Sequence, residues 1–141
     1  MEQIFVYGTL LYPEIVGKLT GKKLKTHHAI LFGFKRFTVV GCDYPAIIET
    51  KNSKVEGLLI ENVDSKSGQV LSFFEGVEYE KRKVIVQTKQ HKVEASTYIW
   101  KGDFSLLKDI EWNIHDFKKN RLRYYLEDVI PQTLEEFKNG G

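Results

Sequence analysis

The chain of 141 residues contains 42% apolar and 28% charged residues, and its formal net charge is +2. These values are typical of one globular domain over residues 1–141, and they exclude a disordered or fibrous chain. A net charge this close to zero offers no global attraction for nucleic acid.

The single cysteine, Cys42, leaves no internal disulfide to form, which fits a reducing compartment. The first residues lack the pattern of a secretory signal, and no apolar run reaches the roughly 18 residues that span a bilayer. We therefore expect a cytoplasmic protein that does not enter a membrane.

The first predicted element is a strand over residues 4–7, where β-branched and aromatic residues precede Gly8. Pro13 suits the first turn of a helix, because its missing N–H would have no partner there. Gly21 suits the end of that helix. The pattern predicts a strand, a glycine turn and a short helix.

The middle of the chain is predicted to be mostly strand. Residues 29–40 form one strand, with Gly33 as a bulge or bend. Two shorter strands follow at 44–48 and 55–63.

A helix over residues 65–75 comes next, and Asp64 can cap it by accepting hydrogen bonds from the free N–H groups of the first turn. Strands over 79–88 and 93–100 form a predicted hairpin. The last forty residues show apolar side chains at helical spacing, and Pro131 is expected to end that run.

Strands thus dominate the middle of the chain, and helices flank them. The sequence predicts an α+β fold in which a small, curled mixed sheet carries peripheral helices.

Glu75 follows two phenylalanines and precedes Gly76. Bulky aromatic neighbours can exclude water from a carboxylate, which raises its pKa and suits it to proton exchange near neutral pH. The alternative is a solvated glutamate beside a helix-ending glycine. Spacing alone favours that alternative, because most glutamates face solvent.

The stretch Tyr7, Gly8, Thr9 and Leu10 joins the first strand to the first helix. Glycine adopts conformations that let successive N–H groups converge, and a helix start adds further unpaired N–H groups. Such a loop can hold a carboxylate or an oxyanion. A plain glycine turn is the alternative, and the four residues alone do not decide between them.

Six segments, in order along the chain, resemble the γ-glutamylcyclotransferase-like proteins. This superfamily includes γ-glutamylamine cyclotransferases and the plant avirulence-induced AIG2 proteins. The segments are FVYGTL at 5–10, YPAII at 44–48, VEGLLIEN at 55–62, FFEGVEY at 73–79, STYIW at 96–100 and WNIHDF at 112–117.

The resemblance implies a small β-barrel-like α+β fold. It also implies an enzyme that converts a γ-glutamyl amine or amino acid to 5-oxoproline and releases the free amine, with no metal or other cofactor. The expected partner is therefore a small γ-glutamyl substrate. Glu75 stands where the family places its catalytic glutamate, and the loop of Tyr7, Gly8, Thr9 and Leu10 would bind the substrate through backbone groups.

Two positions depart from the family pattern. The family often has aspartate three residues before the glutamate, where this chain has Ser72. It often has Tyr-x-Arg after the glutamate, whereas Arg82 here lies one position later. Both changes concern the groups around Glu75 and the choice of substrate, and neither removes the acid–base residue.

Two other functions fit the sequence. A binding protein of the same fold could hold a small ligand without turnover. A nucleic-acid-binding module could use the basic stretch at 18–28, which contains four lysines and two histidines. No nucleic-acid-binding motif accompanies that stretch, so we interpret it as a solvated loop.

Metal and thiol chemistry are not predicted. His27 and His28 are adjacent and would point to opposite faces of a strand, while His91 and His115 lie in separate segments. Cys42 is interpreted as a structural residue. Three aromatic residues are interpreted as packing residues: Trp112, Tyr124 and Tyr125.

Overall fold

The computed structural model describes residues 1–140, so Gly141 of the predicted domain lies outside the described part. Six strands form one sheet. They are β1 (Glu2–Val6), β2 (Thr26–Val39), β3 (Pro45–Val63), β4 (Tyr79–Gln87), β5 (Lys92–Trp100) and β6 (Leu107–Lys108).

Helices lie around the sheet. They are α1 (Pro13–Thr20), α2 (Ser65–Glu75), α3 (Ile114–Asn120), α4 (Leu122–Tyr124) and α5 (Ile130–Lys138). Two 3-10 turns cover Thr9–Leu11 and Phe104–Leu106, and a π-helical turn, Tyr125–Val129, joins α4 to α5. None of the helices in residues 1–140 has the length and apolar character needed to cross a bilayer.

Five strands close into a barrel in the order β3-β1-β5-β4-β2, because β2 pairs again with β3. β1 and β5 are parallel and meet at Ile4 and Ser96, whereas the other neighbouring strands are antiparallel. β6 pairs with the end of β2. This architecture confirms the predicted α+β fold with a mixed, barrel-like sheet and peripheral helices.

The long hairpin of β2 and β3 corrects one expectation. The two strands predicted at 44–48 and 55–63 are parts of the single strand β3, which pairs with β2 from Thr26 to Thr38. The segment between them is polar and largely exposed, so it has no apolar alternation to mark it as strand. Gly33, with φ of +83°, lies at the register shift and confirms the predicted bulge.

Both predicted helix boundaries near the N-terminal half are confirmed. Gly21 ends α1 in the left-handed conformation with φ of +71°. Asp64 caps α2 by accepting a hydrogen bond from the Ser67 N–H at 2.8 Å. An ion pair with Lys22, together with the bonds from Ser67, holds the pKa of Asp64 well below its usual range. Because Lys22 follows α1, this pair also connects α1 to α2.

The C-terminal helices correct a second expectation. Pro131 does not end the helical run, which continues to Lys138. In the π-helical turn the Ile130 N–H donates to the Tyr125 carbonyl, five residues back instead of four. Pro131, which has no N–H to donate, directly follows this change in hydrogen-bond spacing, so the helix can continue past it. The helical region also begins later than predicted, at Ile114, after a 3-10 turn and β6.

The core has two parts. One fills the barrel and consists mainly of strand residues such as Phe5 and Leu31. The other packs the outside of the sheet against the helices and includes Trp112 and Tyr125, which confirms their predicted packing role. Tyr124 is different, since it is 46% exposed.

Candidate functional site

Glu75 is the last residue of α2, and Gly76 fixes where the helix ends. Gly76 has φ of +92°, a conformation that favours glycine, and its N–H donates to the Ser72 carbonyl at 3.2 Å. Val70 and Leu71 are buried and hold α2 against the sheet. The Glu75 side chain is therefore presented from the end of a packed helix.

A small cavity brings Glu75 together with the predicted loop. Glu75, Tyr7, Gly8 and Thr9 all line it, and its volume is about 10 Å³. A space of that size holds roughly one water molecule. The remaining lining residues are Phe5, Val6, Tyr44, Pro45 and Tyr98.

Leu10, the fourth loop residue, is placed differently. Its side chain is 2% exposed, packs in the core between sheet and helices, and does not line the cavity. Within residues 1–140 the N–H groups of Thr9 and Leu10 have no hydrogen-bond acceptor. The loop therefore keeps two backbone donors unpaired at the start of its 3-10 turn.

Close packing leaves no room for a side chain at Gly8. A Cβ atom at this position would lie 2.8 Å from the Cδ atom of Pro45 and 2.9 Å from its Cγ atom. Pro45, the first residue of β3, is thus in direct contact with the loop that follows β1.

Glu75 is partly buried, and desolvation raises its pKa from 4.5 to about 8. Among the described residues, no side chain donates a hydrogen bond to Glu75 or forms an ion pair with it. Burial raises the pKa of Tyr7, Tyr79 and Tyr98, and the charge of Glu75 raises each further. Neutral hydroxyl groups therefore surround the carboxyl group.

Hydrogen bonds hold these three tyrosines. Tyr7 Oη donates to the Tyr98 carbonyl at 2.6 Å, and Tyr79 Oη donates to the Pro45 carbonyl at 2.7 Å. The hydroxyls of Tyr98 and Ser72 are 2.9 Å apart. Ser72, where the family often has aspartate, thus positions Tyr98 beside Glu75.

Arg36 supports the loop from β2. Its Nη1 donates to the Tyr7 carbonyl at 2.6 Å, and its Nη2 lies 3.5 Å from a carboxylate oxygen of Glu111. Arg82, in contrast, is exposed on β4 and pairs with Glu49 at 3.4 Å, so it does not reach the cavity.

Besides Phe5 and Val6 of β1, sequence reasoning missed four residues of the site. Tyr44, Pro45 and Tyr98 line the cavity, and Arg36 holds the loop. The first three lie in the segments YPAII and STYIW, which carried the family resemblance, so these segments were the available signal. No pattern in the sequence indicated Arg36.

The other candidate ligands do not gather at this cavity. No cluster of three or more histidine, cysteine, aspartate or glutamate side chains suited to a metal ion occurs in the described part of the chain. Cys42 is half-buried and packs against the core, which fits its interpretation as structural. The arrangement thus offers one carboxyl group able to exchange protons near neutral pH, in a cavity that the loop of Tyr7, Gly8 and Thr9 also lines.

Comparison with known proteins agrees with the resemblance. The family described as gamma-glutamyl cyclotransferase, AIG2-like, matches residues 4–118. AIG2-like protein D of Arabidopsis thaliana is 33% identical over 132 residues, which are 90% of this chain and 86% of that protein. AIG2-like protein B of the same plant is 32% identical, with 99% and 81% covered.

Solved structures show the same fold. A solution structure of an Arabidopsis thaliana protein matches with a TM-score of 0.70 at 28% identity and covers 98% of this chain and 84% of that chain. A structure described as gamma-glutamyl cyclotransferase matches with a TM-score of 0.59 at 19% identity, covering 71% and 66%. At that identity the likeness concerns the fold alone.

Proposed function

Because the chain belongs to the γ-glutamyl cyclotransferase, AIG2-like family, we propose that it is an enzyme that converts a γ-glutamyl amine or amino acid to 5-oxoproline and releases the free amine. One observation carries the proposal. Among residues 1–140, Glu75 supplies the only carboxyl group that lines the cavity shared with Tyr7, Gly8 and Thr9, and burial raises its pKa to about 8.

The reaction is an intramolecular substitution. The α-amino nitrogen attacks the γ-carbonyl carbon and forms the C–N bond of the five-membered ring, and the amide C–N bond to the leaving amine breaks. Glu75 removes a proton from the α-ammonium group and then donates a proton to the leaving nitrogen. Because both reacting groups belong to one molecule, correct positioning supplies much of the acceleration.

The loop has a separate role in this proposal. The unpaired N–H groups of Thr9 and Leu10 would stabilise the oxyanion that forms on the γ-carbonyl oxygen or hold the α-carboxylate. A glutamyl group is larger than the cavity of about 10 Å³. We therefore expect the walls around Tyr44 and Pro45 to separate when substrate binds.

Release of 5-oxoproline from a panel of γ-glutamyl compounds tests the function. The panel contains γ-glutamyl-ε-lysine, other γ-glutamylamines and γ-glutamyl dipeptides. We expect at least one compound to react, and we expect Glu75→Gln to lower kcat by about a thousandfold or more while substrate binding persists.

Glu78→Gln is the matched control, because Glu78 is exposed and lies outside the cavity; its activity should match the wild type. Full activity of Glu75→Gln would overturn the role of Glu75. Specific ligand binding without product across the panel would instead identify a non-catalytic binding protein of this fold.

A further inference from the structure

A second and much larger cavity lies at the end of the barrel opposite Glu75. Its volume is about 750 Å³, within the range of small-molecule sites. The two cavities lie at opposite ends of β1. Gln3, near the start of β1, lines the large cavity, and Tyr7, just past its end, lines the small cavity that contains Glu75. The lining comes from the start of β2, the end of β3 and the turn between β4 and β5.

The strand pairing explains why the barrel is open here. β2 and β4 pair at a single position, Ile30 with Gln87, so the two strands leave a cleft between them. The turn after β4 forms one wall and is fixed by its own hydrogen bonds. Thr88 N–H and Thr88 Oγ1 both donate to the His91 carbonyl at 2.9 Å. The wall is therefore preorganised.

The charge of this cavity is positive and incompletely neutralised. Lys25 and Lys89 line it and form no ion pair with any residue of the range 1–140. The one acidic residue in the lining, Glu61, lies 3.0 Å from His27 Nε2. Elsewhere in the described residues, ion pairs are formed by Lys22, Lys35, Lys81 and Lys83, and other lysines are unpaired. What distinguishes Lys25 and Lys89 is therefore their position in one cavity.

Further polar side chains and an apolar floor complete the cavity. Gln3 Oε1 accepts a hydrogen bond from the Asn62 N–H at 3.2 Å, so its side-chain amide N–H groups remain free to donate. The imidazoles of His28 and His91 also line the walls. The half-buried Val93 forms the apolar floor of the cavity, and the fully buried Leu59 packs beneath that floor.

We propose that this cavity binds a small phosphorylated organic molecule of about nucleotide size, with its phosphate contacted by Lys25 and Lys89. Two unpaired lysines match the charge of about −2 on a phosphate monoester. The apolar floor and the imidazole rings receive the organic part. This site is independent of the acid–base chemistry at Glu75, so its test does not depend on cyclotransferase activity.

Titration of the ¹⁵N-labelled protein with AMP, inorganic phosphate and adenosine tests the site. AMP should shift the amide signals of residues 25–28 and 88–91, and adenosine should bind more weakly. The double variant Lys25→Gln/Lys89→Gln should weaken AMP binding by about tenfold or more, because two charge-assisted contacts are lost. Both lysines are exposed, so the variant should fold normally.

Lys51→Gln/Lys118→Gln is the matched control, since it removes the same charge from exposed positions outside the cavity. Its affinity for AMP should equal the wild-type value. Equal losses in both double variants would reveal non-specific charge attraction and overturn the proposal. The proposal would also be overturned if neither AMP nor phosphate shifted the signals of residues 25–28 and 88–91. Tighter binding of a short single-stranded RNA in competition with AMP would overturn it too, because that result would identify a nucleic-acid surface.

Discussion

Glu75 shows how the surroundings of one carboxyl group can determine its chemistry. Its pKa rises to about 8 because water is partly excluded and no cation compensates. The hydroxyls of Tyr7, Tyr79 and Tyr98, which experience the charge of Glu75, stay neutral because burial raises their own pKa values. The site thus combines one titratable group with fixed neutral dipoles.

The pH dependence of kcat/KM tests this property. If the carboxylate form of Glu75 is the base, kcat/KM should rise about tenfold per pH unit below its pKa and level off above about 8. A kcat/KM that stays flat from pH 6 to pH 9 would contradict the raised pKa or the role of Glu75.

Unfolding measurements provide a control that needs no activity. The folded protein holds the Glu75 proton more tightly than the unfolded chain, so ionising Glu75 destabilises the fold as pH rises from 4.5 to about 8. Glu75→Gln should therefore be more stable than the wild type at pH 9, by roughly 2 kcal/mol once partial exposure is allowed for. The difference should vanish near pH 4.

At this scale the sequence identified the acid but not its environment. The two phenylalanines before Glu75 suggested desolvation, yet spacing alone favoured a solvated side chain. The side chains around Glu75 belong to strands that are distant from it in sequence: Tyr7 follows β1, and Tyr98 lies on β5. Local patterns contain no information about such contacts, because the barrel brings together residues far apart in sequence.

At the scale of the elements, the end of β1 packs tightly against the start of β3. Gly8 and Pro45 meet so closely that no Cβ atom fits between them. Arg36 of β2 then holds the carbonyl of Tyr7 from the other side. Three strands therefore fix the position of one short loop.

Substituting Gly8 by alanine tests the importance of that contact. The added methyl group would lie 2.8 Å from Pro45 Cδ and force the loop or β3 to shift. We expect a loss of about 1–3 kcal/mol in the free energy of unfolding and a fall in kcat/KM of about tenfold or more.

Gly17→Ala in α1 is the matched control, because its Cβ would meet nothing closer than 3.9 Å. That variant should be slightly more stable, by about 0.5–1 kcal/mol, and fully active. Unchanged activity in Gly8→Ala would show that the loop tolerates displacement and has no positioning role.

Element boundaries were predictable where a single residue sets them, and not where tertiary context does. Gly21, Gly33 and Asp64 each had the predicted effect, because glycine conformations and side-chain caps are local. β3 was divided in the prediction because its exposed middle has no apolar face. The prediction that Pro131 ends the helix was wrong because a π-helical turn changes the hydrogen-bond spacing just before it, so the helix continues without the proline N–H.

Over the whole molecule, the C-terminal helices support the helix that carries Glu75. The rings of Phe73 and Phe137 lie 5.6 Å apart, and those of Phe74 and Tyr125 lie 6.4 Å apart. The residues after 118 lie beyond the matched family segment. Contacts from outside that segment thus help to hold α2 in place.

Phe137→Ala should loosen α2 without touching the cavity. We expect a loss of about 1–2 kcal/mol in the free energy of unfolding, since Phe137 is half-buried, and a several-fold lower kcat with KM less affected. Tyr124→Ala is the control, because that ring is 46% exposed and should matter little. A destabilised Phe137→Ala with normal kcat would show that the C-terminal helices stabilise the fold without positioning Glu75.

The parallel pairing of β1 with β5 also bears on how the protein folds. Ile4 must meet Ser96, and β1 also pairs with β3 at Ile60, so the barrel depends on contacts far apart along the chain. Such topologies fold slowly, in about milliseconds to seconds, because long loops must close first. A growing chain that has not reached β5 leaves one edge of β1 unpaired, and an open strand edge can pair with another chain. We therefore expect the protein to be most prone to aggregation during synthesis, before residue 96 has emerged, and to be protected once the barrel closes.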